Sequence, residues 1–63
     1  MGETKGFIFY KSFYEAIKVL PAENQLEIYT AINEYAFEGK EPENLSAIAK
    51  SIFILIKPNI EIN

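Results

Sequence analysis

Residues 52–58 read Ile-Phe-Ile-Leu-Ile-Lys-Pro: five bulky apolar side chains in a row, then a lysine and a proline, in a chain of only 63 residues. That stretch sets the folding problem, because little else is present to cover it. A domain this small buries only about 60% of the surface its unfolded chain exposes. Such chains usually lean on disulfides, bound metal or association. With no Cys and no His in the sequence, disulfides and the usual zinc sites are ruled out. Packing and association remain. Hydrophobic residues make up 49% of the chain and aromatics 14%, which is more apolar surface than one small monomer covers easily.

The stretch itself fits two conformations. Three β-branched isoleucines suit a sheet interior, and "IEI" at 60–62 alternates as a strand would. The preceding "LSAIAKS", however, is helix-like, and only "GFIFY" at 6–10 offers a strand to pair with. The sequence therefore predicts a helix over 46–57, with Ser46 as N-cap and Pro58 as a kink or stop. Ile48, Ala49, Ile52, Phe53, Leu55 and Ile56 share its apolar face, with Phe53 in the core, and Ile54 points to the lysine side. Residues 6–10 remain open to strand, helix or an extended arm.

Two further helices follow from punctuation. Phe9, Phe13, Ala16, Ile17 and Leu20 form an amphipathic stripe over roughly 12–20, opened by a Ser12/Glu15 capping box and ended by Pro21. Pro21 also opens a helix over 21–38, where Glu23 suits the positive end of the dipole and Gly39 supplies a left-handed stop. Ile28, Tyr29, Ile32, Tyr35 and Ala36 share one face of that helix; Glu23, Glu27, Glu34 and Glu38 make a solvated acidic face opposite. "GKEPEN" is a loop. The expected fold is all-α: a single small three-helix domain over 1–63, forming a helical homodimer.

The residue types exclude much chemistry. All nine acids are Glu and all six bases are Lys, for a net charge of −3. This balance lacks the clustered positive charge of a nucleic-acid surface, so no duplex binding through phosphate neutralisation is expected. Without His, the serines have no ordinary base to activate them, and Ser12 and Ser46 read as helix caps. The glutamates lack the histidine partners of a di-iron bundle. No catalytic, cofactor-binding or metal-ligating residue is assigned, and no enzyme is expected. No apolar run approaches the ~18 residues of a membrane span. The N-terminus has no signal-peptide core, and Gly6 stands where a myristoylation motif needs Ser or Thr. A cytoplasmic protein is the expectation.

What remains is surface for association. The candidate interface comprises Phe7, Phe9, Tyr10, Tyr29, Tyr35, Phe37 and Ile54, since contiguous exposed apolar groups mark interfaces. The expected partner is a second copy of the chain, with a different protein as the alternative.

Several blocks also resemble a known family. "FYKSFYEAIKVLP", "QLEIYTAINEYAFEGKEPE" and "AKSIFILIKPNIEIN" are similar to the N-terminal domain of a family of uncharacterised phage and prophage proteins from low-GC Gram-positive bacteria. Ser12, Phe13, Ala16 and Ile17 match its opening block, and Leu20 with Pro21 its break. Tyr29, Ile32, Tyr35, Ala36 and Gly39 match its second helix. Phe53, Ile56, Lys57 and Pro58, then Ile60 and Asn63, match its closing signature. The resemblance implies a phage or prophage setting near replication functions, and it transfers no catalytic residue. The expected function is a non-catalytic helical interaction or oligomerisation domain. The alternative is a small acidic phage-encoded inhibitor, using its Glu stripe against a basic site on a host protein.

Overall fold

A computed structural model describes residues 6–61 of the chain; the sequence readings that fall on residues 1–5 and 62–63 lie outside it. The described residues form three helices: α1 Lys11–Lys18, α2 Ala22–Glu38 and α3 Ala47–Glu61. No strand occurs among them. The fold is all-α, and the apolar run at 52–56 is helical.

α1 starts one residue before the sequence pattern suggested and ends two before it. Its N-cap is Tyr10, in extended conformation and without a side-chain cap. The Tyr10 carbonyl accepts the N–H groups of Phe13 and Tyr14 at 3.0 and 3.3 Å. The expected Ser12/Glu15 capping box does not form. Ser12 lies inside the first turn, where it cannot cap, and Glu15 instead sits 3.8 Å from Lys11 one turn back. The other end of α1 is held by Gln25, whose amide donates to the carbonyls of Lys18 and Leu20 at 3.1 and 2.9 Å. A side chain of α2 thus closes the turn at Pro21.

Pro21 is the N-cap of α2, its carbonyl accepting from Asn24 and Gln25, and Glu23 occupies the first turn. Gly39 ends the helix with φ 69°, a conformation costly for other L-residues. Residues 40–46 then travel back beside α2, turning at Asn44 (φ 61°), where Asn tolerates the left-handed region. The contacts of α2 and α3 rise together: Glu27 meets Ser46 at the start of α3, while Tyr35 meets Phe53 and Glu61 further along. The two helices therefore run in the same sense and form the largest helix pair.

The start of α3 carries the clearest local device. Ser46 caps it as expected, its hydroxyl oxygen accepting the Ala49 N–H at 3.2 Å. The position three residues into a capping box would hold Glu or Gln; here it holds Ala49. Glu27 supplies the missing carboxylate from α2. Its Oε2 accepts the Ser46 N–H at 2.6 Å and its Oε1 the Ser46 hydroxyl at 2.9 Å. These bonds hold the Glu27 carboxyl below the usual carboxylate range, the backbone N–H of Ser46 being the main cause. One carboxylate thus satisfies the α3 cap and pins the return loop. Glu34 pairs with Lys40 of that loop at 3.7 Å. The glutamate face of α2 is therefore not wholly solvated, as its spacing suggested: Glu27 and Glu34 are half-buried against the returning chain.

The core lies where the helices meet: Ile17 from α1; Ile28, Ala31, Ile32 and Ala36 from α2; Ala49, Phe53, Ile56 and Ile60 from α3. Ile17, Ile28, Ile32 and Ile56 are the largest side chains sealed from solvent. Pro58 does not end α3, which continues to Glu61. Proline frees the carbonyl four residues back, that of Ile54, a residue 58% exposed on the outer side of the helix. Buried Ile60 and the Glu61–Tyr35 hydrogen bond secure the turn beyond.

Candidate interaction surface

The surface begins with the arm of residues 6–10 ahead of α1, which lies outside any helix and ends in the extended Tyr10. Phe7 and Phe9 alternate with Ile8 and Tyr10, and alternation in an extended chain sends neighbours to opposite sides. The Phe7 ring lies 5.9 Å from Phe37, and the Phe9 ring 6.0 Å from Tyr29. Arm numbers rise as α2 numbers fall, so the arm lies antiparallel along α2. Phe9 meets Phe13 edge-on at 5.7 Å, and Tyr10 meets the same ring at 5.4 Å. Edge-on aromatic pairs at these separations are favourable beyond their buried area.

Five of the candidate residues therefore come together: Phe7, Phe9, Tyr10, Tyr29 and Phe37, with Phe9 linking Phe7, Tyr29 and Phe13, and Phe13 linking Phe9 to Tyr10. The cluster is only half covered. Phe9 is 37% exposed, Phe37 42% and Tyr10 47%. No strand or helix lies over it among the described residues, and a shallow groove bounded by Phe7, Phe9, Tyr29 and Asn33 opens beside it.

Tyr35 and Ile54 lie elsewhere. Tyr35 faces α3, edge-on to Phe53 at 5.5 Å, and its hydroxyl donates to the Glu61 carboxylate. That bond, then burial and the negative charges of Glu61 and Glu41, push its hydroxyl up to about 12. Lys57 sits 5.3 Å over the same ring and 3.5 Å from Glu41. Tyr35 thus ties α2, α3 and the return loop together. Ile54 is 58% exposed on the outer side of α3, at the rim of a groove with Pro42, Leu45, Lys50 and Lys57.

The candidate interface left out several exposed aliphatic residues, among them Leu26, Ile48 and Leu55. Leu26, 70% exposed, lies about three turns before Phe37 on one side of α2, a spacing that would have linked it to the aromatic cluster. Ile48 and Leu55 were assigned to the core face of α3, yet they stand 47% and 70% exposed. The buried row Ala49, Phe53, Ile56, Ile60 is narrower than the apolar arc, and α2 is the main element packed against it.

No group of three or more His, Cys, Asp or Glu is placed to hold a metal ion among the described residues. No described helix is long and apolar enough to cross a membrane. Ser51 donates to the Ile48 carbonyl of its own helix at 2.9 Å, and Ser46 is engaged by Glu27.

No curated protein and no solved structure matches the chain. The model of a family of unknown function, DUF6291, matches residues 6–63, nearly the whole sequence, and the chain belongs to that family.

Proposed function

We propose that this domain is a non-catalytic, self-associating interaction module of a phage or prophage protein, with a replication module as its narrower setting. The observation that carries the self-association is the half-covered aromatic cluster of Phe7, Phe9, Tyr10, Phe13, Tyr29 and Phe37, backed by Leu26 on the same helix. Large apolar groups left contiguous at a surface favour association, and Phe and Tyr are enriched where interfaces form. A two-fold dimer is the commonest closed solution. The phage setting rests on the resemblance of the three sequence blocks.

The acidic-inhibitor reading draws on the glutamates of α2. Since Glu27 and Glu34 are engaged within the chain, that surface has less to offer a basic target, and the first reading has the stronger support.

Light scattering over a concentration series tests it. The expected mass climbs from near 7.2 kDa towards twice that value as concentration rises. A mass that stays near the single-chain value up to millimolar protein would overturn self-association.

A further inference from the structure

Resting on the self-association reading, we infer that the seam of the dimer is α2 itself: two copies of the helix pack antiparallel along Leu26, Thr30, Asn33 and Phe37. These residues are spaced four, three and four apart, the alternation of a two-helix seam. On a helix of 3.6 residues per turn they fall within an arc of about 60°. All four are exposed, and Leu26 most of all. No charged residue lies on this strip. Glu27 and Glu34, on the other side of the helix, are held by Ser46 and Lys40 of the returning chain.

The occupant follows from the order of residues along the strip. A two-fold axis level with the midpoint of residues 31 and 32 sets Leu26 against Phe37 of the second copy, and Thr30 against Asn33 of the second copy. Apolar then meets apolar at the ends, and polar meets polar at the centre. The Asn33 side-chain nitrogen donates to the Tyr29 carbonyl at 2.8 Å, which leaves its Oδ1 as an acceptor. Among the described residues, no hydrogen bond uses that oxygen or the Thr30 hydroxyl. The Thr30 hydroxyl of one copy therefore has a matching acceptor on Asn33 of the other. A parallel pairing would set every residue against itself, bring Glu23 against Glu23 and align the two helix dipoles. The antiparallel one opposes the dipoles, and it carries Glu23 to the end of the second helix, where Lys40 follows Gly39. Four residues a side make a short seam, and Phe9, 6.0 Å from Tyr29 and half exposed, adds apolar surface at its edge.

Mixing full-length Leu26→Cys and Phe37→Cys proteins under mild oxidation tests this, in a chain with no other cysteine. In the antiparallel seam like-numbered residues at its ends lie about 16 Å apart along the axis, beyond the reach of a disulfide. The mixed disulfide should therefore form in at least tenfold excess over either like-residue disulfide. Thr30→Glu combined with Asn33→Glu, which opposes carboxylates across the centre, should weaken association at least tenfold while helical circular dichroism persists. Thr30→Lys combined with Asn33→Glu, which pairs opposite charges there, should restore it. The seam is wrong, and self-association stands, if the parent dimerises while the disulfides form in random proportions or between like residues, or while the double-glutamate variant dimerises as tightly. A parent that is monomeric throughout overturns both.

Discussion

Replacing Phe53 by alanine should abolish cooperative thermal unfolding. Phe53 is 5% exposed, stands edge-on to Tyr35 at 5.5 Å, and belongs to the row that joins α3 to α2. Truncating a buried phenylalanine costs about 3–5 kcal/mol, part from lost transfer energy and part from the cavity left behind. A chain of this length has total stability on the order of 3–9 kcal/mol, so the loss removes most of it. Collapse into the cavity offers little relief, because the facing side chains sit on helices held by the Glu27–Ser46 cap and the Tyr35–Glu61 bond. Circular dichroism on heating should show a broad, sloping loss of helix. A variant melting within a few degrees of the parent would place Phe53 outside the core.

A sharper contrast comes from two neighbours in the same stretch. Ile56 is fully buried and Leu55 is 70% exposed, although both are bulky, apolar and adjacent in sequence. Ile56→Ala should cost about 2–5 kcal/mol, as buried aliphatic truncations do. Leu55→Ala should stay within about 0.5 kcal/mol, the range of surface changes that break no special feature. Urea titration of both variants reads the difference directly through midpoints at constant slope. Equal losses would mean that the two side chains share one environment, contrary to the helix orientation described.

Those two residues also mark how far the sequence could be read. Three helices, the Pro21 break, the Gly39 stop and the Ser46 cap follow from local chemistry, and local chemistry is what short spacings encode. The apolar excess of "IFILI" identified α3 and the buried row through Ala49, Phe53 and Ile56, but not how narrow that row is, because consecutive apolar residues leave no polar edge and only packing partners place Ile48 and Leu55 outside it. Glu27 was out of reach for a related reason. Its spacing with Glu23, Glu34 and Glu38 describes an acidic face, and nothing in the sequence says that a loop returns over that face to bring Ser46 to it. Tyr35 matched the interface pattern by residue type, and a long-range bond to Glu61 turned it towards α3. The aromatic cluster was legible as a set of residues. Its geometry, with the arm antiparallel to α2, depends on tertiary contacts, as does the location of Ile54 apart from it.

The account's central claim is that 63 residues of this composition leave apolar surface that a second copy covers. Association stabilises a fold by mass action, since only the folded chain dimerises. The melting temperature measured over a hundredfold range of protein concentration tests this most directly. The account predicts a rise of about 5–10 °C, from the gain per chain and the steep temperature response of domains this small. A melting temperature that does not move over that range, with folding still cooperative, would contradict it.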